Sequence, residues 1–89
     1  MSDVPISACI IAAYRSIPEV TAIYMDACRV WVITNNARYD DALMDRCIAA
    51  ECAVVDRYPR MEITHLPSVL VHDLQEVIPK QARKVYTTP

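Results

Sequence analysis

Four residues of this chain have the types from which a site could be built: Arg29, Trp31, Glu51 and His65. A carboxylate and an imidazole can move a proton between them. An indole offers an apolar wall, and a guanidinium can hold an anion. Spacing singles out Glu51, in the segment DRCIAAECAVVDR at residues 45–57. At about 100° per residue of helix, Leu43, Met44, Cys47, Ile48, Val54, Val55 and Tyr58 fill one arc, and Glu51 is expected near its centre. Asp45, Arg46, Asp56 and Arg57 lie opposite, with Ala42, Ala49 and Ala53. A carboxylate on an apolar face is costly unless it is paired, hydrogen-bonded or protonated.

Three arrangements would account for it. Glu51 could be structural, meeting Arg29, Arg15, a tyrosine hydroxyl or a backbone N–H within the chain or across a dimer. The helix could be offset, so that Glu51 reaches water from the edge of its interface. Or a mostly apolar cavity could open between helix and sheet, with Glu51 as its polar group and Trp31, Arg29 and His65 as the other candidate ligand-binding residues. Burial raises a glutamate's pKa, which suits proton transfer, but one acid does not define a reaction. The structural reading is the default. Trp31 is expected in a core or interface, and His65 as a satisfied polar residue of a strand. Asp40 and Asp41 read as a helix start before they read as a metal site. The tyrosines, at 14, 24, 39, 58 and 86, form no motif.

The chain has no glycine. Phosphate-cradling loops need it for close backbone approach and positive φ, so Walker-type and dinucleotide-binding loops are excluded. Ser2, Ser7, Ser16 and Ser68 likewise lack the glycines of a nucleophile elbow. Cys9, Cys28, Cys47 and Cys52 make no CxxC pair, and His65 and His72 complete no zinc spacing. No metal and no cofactor is expected, and the thiols are expected reduced, with Cys28 the most exposed. The net charge is −2, and from Pro79 onward the chain carries Lys80, Arg83 and Lys84 with no acid. Three basic residues on an acidic chain do not make a nucleic-acid footprint, and nucleic acid is not an expected partner. No apolar run approaches the roughly 20 residues of a membrane helix, and the first residues carry Asp3 and no basic stretch of a secretory leader. No membrane association and a cytoplasmic location are expected.

Apolar periodicity predicts a first helix over Val4–Ile17, capped by Asp3 with Pro5 in its first turn and stopped by Pro18. Val20–Met25 and Arg29–Thr34 read as a β-hairpin about Asp26–Cys28. A second helix is expected over Tyr39–Arg57, a strand over Met61–Leu66, a short helix over Val69–Ile78, and an extended arm or edge strand over Arg83–Thr87. The fold class is therefore α+β: an α-β-β-α-β two-layer sandwich with a mixed three-stranded sheet, or a fourth, C-terminal strand. The hairpin is antiparallel, and the strand–helix–strand unit makes the second and third strands parallel. This layout resembles a ferredoxin-like sandwich, or a permuted one, in topology alone.

The 89 residues form a single domain, with residues 67–89 as a C-terminal arm or docking segment. Such a chain buries only roughly 60–65% of its unfolded surface, yet 54% of its residues are hydrophobic. On the sheet, Val30, Val32 and Thr34 oppose Arg29, Trp31 and Ile33, and Val20, Ala22 and Tyr24 oppose Thr21, Ile23 and Met25. Neither face is clearly polar, so the face away from the helices needs a cover, from the C-terminal segment or a second subunit. The leading functional expectation is a small, non-catalytic domain that oligomerises, as a homodimer or higher, or binds other proteins. The alternative is a small-molecule-binding protein or enzyme with a pocket at Glu51. A cavity touching Glu51 would favour that alternative.

Overall fold

The computed structural model describes residues 6–36, 38, 40–67 and 74–88. Helix α1, Ile6–Tyr14, presents Ile10 and Tyr14 to the core, with Ile6 and Ala13 packed beside them. Its expected cap, Asp3, and Pro5 lie outside the described residues. The helix ends three residues before the expected Ile17. A residue preceding proline is driven out of the helical region, and Ile17 N–H instead closes a tight turn onto the Tyr14 carbonyl at 2.9 Å.

Strands β1, Val20–Asp26, and β2, Arg29–Thr34, pair antiparallel as the expected hairpin. The connection is Ala27–Cys28, and Ala27 takes φ 53°. Two-residue hairpin turns want a positive φ, which glycine supplies without a Cβ clash. Here alanine takes that position. Ala27→Gly should therefore stabilise the fold by about 1 kcal/mol, read as a higher urea midpoint at an unchanged slope.

Strict alternation fails once in β1. Val20 shares the buried face with Ile23 and Met25, and not with Ala22 and Tyr24 as expected. The ladder shifts register between Val20 and Ala22. A bulge adds one residue and so returns Val20 to the core side.

Helix α2, Asp41–Arg57, begins one residue after its cap: the Asp40 side chain accepts from Leu43 N–H at 3.0 Å. The expected start, Tyr39, lies outside the described residues. Leu43, Cys47, Ala50 and Val54 face the core. Strand β3, Glu62–Pro67, pairs parallel with β2. Of the short helix expected over Val69–Ile78, residues 69–73 lie outside the described ones, and a single turn, α3, spans Leu74–Val77. Strand β4, Arg83–Thr87, is the fourth strand and pairs antiparallel with β1.

The sheet order is β3-β2-β1-β4. It is a mixed four-stranded sheet, and the two long helices share one core with one of its faces, as a two-layer α+β sandwich. β2 and β3 are direct neighbours, so the strand–helix–strand unit is not split as in a ferredoxin-like sandwich. The core holds Ile10, Tyr14, Val20, Ile23, Val30, Val32, Leu43, Cys47 and Val54, each at most 1% exposed. Burying an aliphatic side chain of this size contributes about 1.5–3 kcal/mol. On the opposite face Trp31, Ile33 and Ile78 form a second cluster, with Ala82 packed on it. Ile78 and Ala82 belong to the C-terminal segment, which thus supplies part of the cover that face requires. Among the described residues no helix is long and apolar enough to cross a membrane.

Candidate functional site

Three elements converge on His65. β3 alternation points Ile63 toward the main core, and His65 follows two residues on. The His65 ring meets α1 through Tyr14, whose hydroxyl lies 2.8 Å from Nε2. It meets α2 through Glu51, whose Oε1 lies 3.8 Å from Nδ1. The Tyr14 hydroxyl is also 3.4 Å from the Cys47 carbonyl oxygen. The result is a chain from Glu51 through His65 to Tyr14 that bridges both long helices and the sheet.

The carboxylate decides the proton positions. A negative charge beside Nδ1 favours the tautomer with its proton there. The single Tyr14 proton then goes to Nε2 at 2.8 Å, and the 3.4 Å contact with the Cys47 carbonyl is secondary. The 3.8 Å separation is too long for a hydrogen bond, so Glu51 acts on the ring by charge. Its side chain is 37% exposed against 10% for His65. Glu51 therefore sits at the margin of the apolar arc, below the centre position expected, and water reaches it.

Burial lowers the His65 pKa, and the Glu51 charge offsets only part of that. Burial raises the Tyr14 pKa far above the phenol range, reinforced by Cys47, Glu51 and Cys52. Burial likewise raises that of Cys47. The ring is thus neutral near pH 7, and the phenol stays protonated.

The order carboxylate, imidazole, hydroxyl is that of a nucleophilic triad. Its terminal group disqualifies it here. Tyr14 is 0% exposed, so no substrate reaches its oxygen, and its pKa moves away from the phenolate. An open groove of about 350 Å³ lies between α1 and α2, lined by Ala13, Ser16, Ala49, Ala53 and Arg46 among others. It runs along the other flank of α2, and Glu51 is not part of its wall. Arg46 is held at its rim by Glu19 at 2.8 Å, which keeps the Glu19 carboxyl below the usual carboxylate range.

The four sequence candidates thus divide into two pairs. Glu51 and His65 meet on the helix side. Arg29 and Trp31 meet on the other side, with the guanidinium 5.3 Å from the indole centroid and 3.0 Å from Asp26. The sheet separates the pairs because odd and even residues of β2 leave it on opposite faces. Trp31 is 7% exposed, in a cluster with Ile33 and Ile78. Tyr14 is the member that the sequence did not single out. Its position on the apolar stripe of α1 was visible, but its partner lies 51 residues away. Among the described residues no three of His, Cys, Asp and Glu converge as a metal-ligand set.

Fold and polar chain together define a small α+β domain in which the buried Tyr14 hydroxyl is bonded to the His65 ring. Comparison of the chain with protein-family models, with curated proteins and with solved structures finds no match.

Proposed function

We propose that this chain is a small non-catalytic domain that works by assembling with copies of itself or with protein partners. One observation carries the reading. Glu51 and Tyr14 both face His65, and Arg29 lies over Trp31, whereas apolar side chains remain exposed. Ile48 of α2 is 49% exposed, and Met44 and Val55 on the same flank are only partly covered. That flank adjoins β3, an edge strand of the sheet. A helix flank and a strand edge offered side by side are the materials of a protein interface.

The groove between α1 and α2 lends the small-molecule reading no support, because Glu51 faces His65 and is not part of its wall. Trp31 is no base-stacking platform, because Ile78 packs in its cluster and Arg29 lies over its ring. Four free thiols suit a reducing compartment, so a cytoplasmic location belongs to this reading.

Sedimentation velocity tests the proposal. The weight-average mass should rise above 10.1 kDa as the chain is concentrated from micromolar toward millimolar. A mass fixed at that of one chain throughout, with no protein partner captured, would end the proposal.

A further inference from the structure

We infer that two copies of this chain join through β3, edge to edge and antiparallel about a two-fold axis at Thr64, with α2 packing on α2 of the second copy. This rests on the self-association reading and names its surface.

Glu62 N–H donates to the Cys28 carbonyl at 2.7 Å, so Glu62 turns its backbone groups toward β2. Along a strand those groups alternate sides. Thr64 and Leu66 therefore also face β2, and Ile63 and His65 turn their N–H and C=O away from the sheet. Among the described residues no strand pairs with that side of β3. Pro67, which has no N–H, ends the strand.

An antiparallel partner that uses those outward groups on both sides can set Ile63 against His65 of the second copy. Each such pair exchanges two hydrogen bonds, and the two-fold axis makes the pair occur twice. Thr64 then faces Thr64 of the other copy in a non-hydrogen-bonded position. The same edge satisfies itself, as an isologous interface requires.

The sheet has another edge, and its chemistry differs. β4 exposes Arg83 and Lys84, charges of the kind that guard an edge against pairing. β3 exposes Glu62 and Thr64 and carries no lysine or arginine.

The helix layer supports the same axis. α1 lies over β1 and β4, whereas α2 joins β2 to β3 and meets β3 through Glu51 and His65. Pairing β3 with its copy sets the two α2 helices about two strand spacings apart, roughly 10 Å. Helices pack at about 8–10 Å. Met44, Ile48 and Val55 would meet their counterparts there, with the part-exposed Glu51 of the same flank between them.

Two variants and one readout test this. Ile48→Glu places a charge on the helix contact, and should raise the dimer dissociation constant at least about tenfold with the far-ultraviolet circular dichroism unchanged. Thr64→Cys, with Cys28 and Cys52 replaced by serine, should form an intermolecular disulfide on mild oxidation. The facing Cα atoms would be about 4.5 Å apart, within the range a disulfide spans. Glu62→Cys in the same background should not, because its own copy lies four residues off register. If the wild type sediments as one chain at every concentration, the self-association reading and this interface both fall. If it assembles, but Ile48→Glu assembles equally well and Thr64→Cys cross-links no better than Glu62→Cys, this interface alone is overturned.

Discussion

Replacing Tyr14 by alanine is expected to cost about 3–5 kcal/mol of stability, the range for removing a buried aromatic ring. Small domains have little to spare against that loss, since total stabilities run about 5–15 kcal/mol. Tyr14 is 0% exposed and stands where α1, α2 and β3 meet, so no neighbouring side chain can easily fill the space. Tyr14→Phe separates the ring from the hydroxyl. It keeps the packing but leaves His65 Nε2 without its partner at 2.8 Å, and should cost about 1–3 kcal/mol. Urea unfolding of both variants at neutral pH measures the two contributions. An inert Tyr14→Phe would mean that the hydroxyl bond contributes nothing net to the fold.

The second large effect is acid sensitivity through His65. Its folded-state pKa is depressed, mainly by burial, below the ordinary histidine value of about 6.5. A group with a depressed folded pKa is protonated more readily in the unfolded chain. Its contribution to stability is therefore fully present above about pH 6.5 and is lost as pH falls through that value toward the folded pKa. The wild type should lose stability between neutral pH and pH 5, and His65→Gln should lose much less over the same interval. Glu51 opposes the loss by favouring the imidazolium, so Glu51→Gln should steepen it while changing little near pH 7. The Glu19–Arg46 pair acts elsewhere. The lowered Glu19 pKa places its contribution in the carboxylate range, below the window of His65. Equilibrium unfolding of the three proteins across pH 5 to 8, at fixed concentration, reads these signs directly.

Both effects trace to a feature that was half visible in the sequence. An acid on the apolar arc of α2 was legible from spacing, because helical periodicity is local. His65 was legible as a member of β3 beside Ile63, because alternation is local too. That the two would face each other depends on how β3 pairs with β2, and parallel register is set by contacts 33 residues apart, as at Arg29 and Glu62. Tyr14 is further removed, since its role follows only once α1 packs across α2. The division of Arg29 and Trp31 from Glu51 was implicit in the alternation of β2, which already set Arg29, Trp31 and Ile33 against Val30 and Val32. The bulge at Thr21 left no such trace, because no glycine or proline marks it. The hairpin turn was placed without one either, by the polar break between two β-rich runs.

His65 is a neutral, enclosed link and not an available base. Nitrogen-15 NMR of the His65 imidazole, titrated from pH 8 to pH 5, tests this most directly. A neutral ring near pH 7, protonated on Nδ1 and titrating below the ordinary histidine value, is expected. A ring that titrates at or above about 6.5 would contradict it, since the imidazole would then be open to solvent and free to act on a ligand.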